Sequence, residues 1–207
     1  MSPVKIGILI SGQGSNLQAI IDHIESGNIN GKIELVISNK KDAYGLVRSK
    51  KAGIESLYVN PRNFKSNEEF NLRLIEEFQS KKVDLIILAG FLKILSKDFI
   101  EKYPNRIINI HPSLIPSFSG KNFYGNKVHE AVLNYGVKYT GVTVHFVDEG
   151  TDTGPIILQE IVPVYQDDTV DSLQKRVIEV EHRVLVRAIK LFCEGRIHVE
   201  GRKVIIN

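Results

Sequence analysis

An alternation of two periods constrains this chain more than any other feature. Short apolar runs recur at "VKIGILIS" (4–11), "KIELVIS" (32–38), "IESLYVN" (54–60), "VDLIILA" (83–89) and "RIINIH" (106–111). Between them, "NLQAIIDHIESG", "AYGLVRSKKAG" and "SNEEFNLRLIEEFQSK" carry helical spacing. A short unbroken apolar run suits a strand covered on both faces, and a helix between successive strands makes them parallel. The pattern predicts βαβ units and an α/β fold. Its sheet is open, mostly parallel, twisted and Rossmann-like, with helices on both faces. Ser66, with Glu69 three residues on, reads as a capping box opening the third helix. After residue 136 the pattern changes: "TGVTVHFVD" and "GPIILQEIVPVY", joined by "EGTDT", predict a late antiparallel strand pair. A long helix ("VDSLQKRVIEVEHRVLVRAIKLFCEG") and a short final strand ("KVIIN") follow. With no repeat, linker or low-complexity tract, residues 1–207 read as a single domain.

Composition excludes several classes. A 43% hydrophobic chain with 25% charged residues can build a substantial core. Its longest apolar runs are too short for a bilayer, and no cleavage signature follows the first one. The only cysteine, Cys193, rules out an internal disulfide and fits a reducing, cytoplasmic setting. A net charge of +3 spread over "NKK", "RSKK" and "SKKVD" reads as solvated faces rather than a nucleic-acid stripe. The expected partners are small molecules, with neither membrane nor nucleic acid; monomer and homodimer both stay open.

Open α/β sheets bind ligands beyond the C-terminal ends of their strands, and the unusual residues gather there. "SGQGSNLQAI" sets Gly12, Gly14, Ser15 and Asn16 between a strand and a helix, where backbone N–H groups can face an anion. A dinucleotide fingerprint fails, because Leu17 stands where its third glycine belongs and the second strand ends in Ser38, Asn39 and Lys40 rather than an acid. A single-phosphate cradle and a plain turn capped by Ser15 or Asn16 remain. On the fifth strand Ile107, Asn109 and His111 share one face. Buried unpaired, each polar group costs about 1–3 kcal/mol. Such a pair is either a hydrogen-bonded core pair or an oxyanion site, with the histidine able to pass a proton. Metal binding is not expected, since neither His129 nor Cys193 is placed to complete a ligand set. No nucleophile elbow or reactive cysteine is present, so the attacking group would come from a bound substrate. Asp152, in "HFVDEGTDTGP", can pair with His111 and keep it charged, or simply make a turn. Asp148 and Glu149 read as solvated acids and His145 as structural support. On the late helix, Glu181 lies at the edge of the apolar stripe, within reach of Arg176 or Arg183.

Together these segments resemble the phosphoribosylglycinamide formyltransferase family, folate-dependent enzymes of purine synthesis. "ISGQGSNLQAIID" is similar to its phosphate loop and "ILAGFLKILS" to its folate-contacting segment. "INIHPSLIPSF" resembles its catalytic stretch and "GVTVHFVDEGTDTGPIILQ" its signature loop. The resemblance implies that Gly14, Ser15, Asn16 and Glu181 hold glycinamide ribonucleotide. It implies that Leu92, Lys93, Ile94, Leu95, Asp148, Glu149, Gly150, Thr151 and Asp152, with Asn109, line the site of the co-substrate 10-formyltetrahydrofolate. Asn109 and His111 would polarise the formyl carbonyl, Asp152 would set the ionisation of His111, and no metal would take part. Two departures stand out: Asn67 replaces an arginine common in the family, with Arg62 or Lys65 nearby. After Phe118, "SGKNFYGNKVHEAV" replaces the usual Pro-Gly-Leu-His, giving Lys121 or Tyr124 local roles. Related tRNA formyltransferases and formyltetrahydrofolate deformylases would be expected to carry a further domain.

Overall fold

The structure, a computed structural model, describes residues 2–207. Seven strands form its main sheet: β1 (Val4–Ile10), β2 (Gly31–Ser38), β3 (Ser56–Tyr58), β4 (Leu85–Leu88), β5 (Ile107–His111), β6 (Tyr139–Phe146) and β7 (Ile156–Pro163). They lie in the order β3-β2-β1-β4-β5-β6-β7. The first five strands run parallel, whereas β6 is antiparallel to β5 and β7 to β6. The late antiparallel pair is therefore an integral edge of the sheet.

Side-chain alternation sends each strand's residues to two cores. Ile6, Ile8 and Ile10 of β1 meet Leu17 and Ile20 of helix α1 (Ser15–Glu25), and Val177, Val184 and Ile189 of helix α6 (Val170–Cys193). Leu9, Ile86, Leu88 and Ile107 point the other way. They meet Phe70, Leu74 and Phe78 of α3 (Asn67–Ser80) and Phe99 of α4 (Lys97–Lys102). Each fully buried side chain of this size contributes about 1.5–3 kcal/mol, so covering both faces outweighs any local strand preference. Helices α2 (Tyr44–Lys51) and α5 (Asn126–Tyr135) complete the first layer, with Leu46 and Val132 packed against its core.

Three elements have no counterpart in the sequence reading. α4 is only six residues long, too short to show a helical period. α5 begins directly after Gly125, inside the segment that departs from the family pattern. A strand β8 (Ile197–Glu200) pairs with β9 (Lys203–Ile206) in a separate two-stranded sheet, which is where "KVIIN" goes. The cap of α3 also differs in detail. Ser66 Oγ accepts from the Glu69 N–H at 3.2 Å, but the Glu69 carboxylate accepts from Lys65 N–H at 2.9 Å, one residue short of a reciprocal box. Ser66→Ala is expected to cost about 1 kcal/mol, read as a lower denaturation midpoint with an unchanged slope.

The topology places the site. From β1 the chain moves outward through β2 to β3, then returns to the opposite side of β1 as β4 and β5. The loops after β1 and β4 consequently diverge at the C-terminal edge, opening the crevice in which such sheets hold ligands. Among the described residues no helix is long and apolar enough to cross a membrane.

Candidate active site

Four polar side chains meet where β5 and β6 lie side by side. Asn109 pairs with His145 across the two strands, so register alone brings them together. Asn109 Nδ2 lies 3.1 Å from His145 Nε2 and 3.5 Å from Asp152 Oδ1. His145 Nδ1 lies 2.8 Å from the Phe146 carbonyl. It therefore donates there, leaving Nε2 to accept from Asn109. Asp152, in the β6–β7 connection, brings Oδ2 to 3.4 Å from His111 Nδ1 and accepts the Gly120 N–H at 2.9 Å. The other ring nitrogen of His111 lies 2.9 Å from the Phe118 carbonyl. Asn109 and His111 thus belong to a hydrogen-bonded cluster shared with a loop carboxylate.

Electrostatics within the cluster oppose one another. Both nitrogens of His111 face acceptors, an arrangement that suits the charged ring. Yet the ring is only 4% exposed, and this burial holds its pKa below the ordinary histidine range despite the pull of Asp152 and the Phe118 carbonyl. Burial would raise the Asp152 carboxyl, but the neighbouring His145, 3.7 Å away, with His111 and the Gly120 N–H leaves it below its usual value. As expected from the sequence, Asp152 pulls His111 toward its charged form, and burial of the ring opposes that pull. Asp152 is the anion of the cluster, and His111 faces it through one ring nitrogen and the Phe118 carbonyl through the other.

The loop after β1 has the form of an anion cradle. Gly14 is the N-cap of α1 in the left-handed region (φ 69°), and no side chain caps this helix. Neither Ser15 nor Asn16 serves as the cap that the plainer reading required, so the first-turn N–H groups face outward at the positive end of the helix. Asn16 points inward instead, with Nδ2 3.5 Å from Glu181 Oε2 and Oδ1 without a partner. Arg176 pairs with Asp168 and Arg183 with Glu160, so Glu181 takes no arginine. Buried at 9% exposure, its carboxyl is pushed up to about 7, with Asn16 opposing the shift.

Between cradle and cluster lies the segment after β4. Leu92 and Ile94 are 52% and 72% exposed, an apolar surface beside polar groups, whereas Leu95 turns into the second core. Any ligand contact from Leu95 is thus through its backbone. Ser11 Oγ accepts from the Leu92 N–H at 2.8 Å and donates to Asn39 at 2.6 Å. Asn67 Nδ2 donates to the Ile94 carbonyl at 3.1 Å. Asp148 accepts from Gly150 N–H and Thr153 Oγ, while Glu149 pairs with Lys97 at 3.3 Å. Lys93, Gly150 and Thr151 are exposed along the rim. A recess of about 590 Å³ lies between α2 and β3, away from these groups.

Residues 4–189 match the formyl transferase family. A phosphoribosylglycinamide formyltransferase from Haemophilus influenzae is 44% identical over 196 residues, which cover 95% of this chain and 90% of that one. The chain belongs to the phosphoribosylglycinamide formyltransferase family. Glycinamide ribonucleotide transformylase 1 from Symbiobacterium toebii has a similar structure, with a TM-score of 0.94 at 46% identity, covering 99% of this chain and 94% of that chain. The human trifunctional purine biosynthetic protein adenosine-3 is 43% identical over 94% of this chain, which spans only 19% of that relative.

In this formyltransferase the structure adds groups that the sequence did not single out. His145 gives its structural support as a direct partner of Asn109, a contact visible only from the β5–β6 register. His129 of α5 is buried without a partner for Nδ1, and burial together with the nearby His111 pushes it down to about 4. Ser11, one residue before the glycine loop, ties that loop to Leu92. Asn67 supports the Leu92–Leu95 segment through Ile94, while Arg62 and Lys65 stay exposed. Tyr124 takes a contact from Lys127 at 3.1 Å, and Lys121 is exposed. Cys193 is buried and pushed up to about 12, in keeping with packing rather than nucleophilic attack.

Proposed function

We propose that this enzyme transfers the formyl group of 10-formyltetrahydrofolate to the amine of glycinamide ribonucleotide, a step of de novo purine synthesis. The products are formylglycinamide ribonucleotide and tetrahydrofolate. One observation carries the reading: an uncapped helix N-terminus and the Asn109–His111–Asp152 cluster open onto one crevice, with exposed Leu92 and Ile94 between them. The phosphate would sit on Gly14, Ser15 and Asn16, and the unpaired Asn16 Oδ1 beside Glu181 suits an N–H or O–H donor of the same molecule. The folate would lie along Leu92 to Leu95 and the Asp148–Asp152 loop.

In this mechanism the neutral amine attacks the formyl carbon and the carbonyl electron pair moves onto oxygen. The formyl oxygen replaces the Phe118 carbonyl at His111 Nε2 and draws one Asn109 N–H from its long 3.5 Å contact with Asp152. Hydrogen bonds that are internal without substrate are a common apo arrangement. Collapse of the oxyanion breaks the bond to the folate nitrogen, which takes up a proton while the attacking nitrogen gives one up, His111 and Asp152 serving as relay. The mechanism calls for no metal. The same reading places a single-domain enzyme of small molecules in the cytoplasm.

The deciding experiment incubates the protein with 10-formyltetrahydrofolate and follows formyl loss, with and without glycinamide ribonucleotide. Loss only when the amine is present is expected. Loss to water alone would make the protein a deformylase, and no loss in either arm would leave only a nucleotide-binding module.

A further inference from the structure

We propose that Arg48, on helix α2 and far from the glycine loop in sequence, is a positioning residue that sets the affinity of the cradle for the substrate phosphate. The inference rests on the reading of that loop given above. Two consecutive carbonyls of the loop are drawn toward α2. The Gly45 N–H donates to the Gly12 carbonyl at 3.1 Å, and Arg48 Nε donates to the Gln13 carbonyl at 2.9 Å. Both peptides are trans, since the only cis bond among the described residues is Ile115–Pro116. In a planar trans peptide the N–H points opposite to the carbonyl. Fixing the Gly12 and Gln13 carbonyls toward α2 therefore turns the N–H groups of Gln13 and Gly14 away from it, beside the first-turn N–H groups of α1. Arg48 thus aims the Gly14 N–H, beside the Gln13 N–H aimed by Gly45, without meeting the anion itself.

Several details make this a built contact. The guanidinium also donates from Nη1 to Gln18 Oε1 at 3.1 Å, so one planar fork spans the loop and the first turn of α1. It lies 5.0 Å from the centre of the Tyr44 ring, which holds it over the start of α2. The approach is close enough to need two glycines. A Cβ on Gly14 would come to 2.8 Å from the Gly45 Cα, and one on Gly45 would come to 2.4 Å from Ile10 Cδ1. A cation on a peptide oxygen also polarises the group, strengthening the hydrogen bond its N–H makes on the other side.

The test compares wild type with Arg48→Met, which keeps the aliphatic stem, and Arg48→Lys, which keeps the charge but not the fork. For Arg48→Met the KM for glycinamide ribonucleotide and the inhibition constant of ribose 5-phosphate should both rise roughly tenfold, the scale of one lost charge-assisted hydrogen bond. Saturated kcat and the KM for the formyl donor should stay within about twofold, because the formyl-transfer cluster is built from other strands. Arg48→Lys should recover only part of the phosphate affinity. If folded Arg48→Met bound ribose 5-phosphate as wild type does, or lost kcat and donor affinity in equal measure, the assignment would fail. A wild-type protein indifferent to ribose 5-phosphate would instead remove the phosphate reading of the loop, and this proposal with it.

Discussion

His111→Ala is expected to fold and to lose about a hundredfold or more in kcat, the typical cost of removing one preorganised donor to an oxyanion. His111 sits at the tip of a parallel strand with Asp152 at 3.4 Å on one nitrogen and an exchangeable backbone carbonyl at 2.9 Å on the other. The substrate oxygen can therefore be met by a donor already aimed, with a carboxylate behind it to balance the charge that a relayed proton creates. Alanine removes the donor, the relay and the partner of Asp152 together. Because the ring is buried, the variant should also lose some stability, so its circular dichroism and denaturation midpoint are measured beside its kinetics. A decrease confined to kcat, with the KM values little changed, is the signature of an interaction made in the transition state. Asp152→Ala should fall in the same range. Near-normal turnover in either folded variant would remove the oxyanion mechanism.

The second large effect concerns stability and pH. Glu181 is buried with only Asn16 to bond it, and its carboxyl is pushed up to about 7 from an ordinary 4.5. A raised carboxyl pKa means the fold prefers the neutral acid. Below pH 4.5 the folded and unfolded chains both hold the proton, and the group costs nothing. Between 4.5 and about 7 the unfolded chain releases the proton while the folded one retains it, so stability falls as pH rises. At 1.36 kcal/mol per pH unit that interval corresponds to roughly 3 kcal/mol. Above about 7 both forms are ionised and the loss is complete. Glu181→Gln mimics the neutral acid. Its unfolding free energy should match wild type near pH 4 and exceed it progressively up to about pH 7.5, with ligand-free protein in urea. A pH-independent difference between the two proteins would show that Glu181 is not strained in the fold. Retaining a carboxyl at this cost is consistent with a group kept for its substrate, and the same variant should bind glycinamide ribonucleotide less well.

Much of this could be read directly from the residues. The two periods gave the parallel sheet because a strand buried on both faces has few ways to be written other than as an unbroken apolar run. Ile108 and Ile110 fell to one core and Ile107 to the other, as strict alternation requires. Short or irregular elements were not legible: six residues of α4 carry no period, and β8 has meaning only opposite β9. The departure after Phe118 was visible as a departure, but that it contains helix α5, with His129 buried beside the cluster, was not.

At the candidate site the division falls along the same line. Sequence alone determined which residues could carry chemistry, because Asn109 and His111 share a strand face by period and Gly14 opens a helix by its lack of a side chain. Only the tertiary structure decided their company. The β5–β6 register set His145 against Asn109, the β6–β7 connection carried Asp152 to His111, and burial lowered the pKa of His111 and made Glu181 reluctant to ionise. Arg48 reached the glycine loop because α2 packs beside β2, β3 and α1. Contacts between residues far apart in the chain follow from how layers pack, and pKa values follow from how much water that packing excludes. Neither is encoded in local spacing.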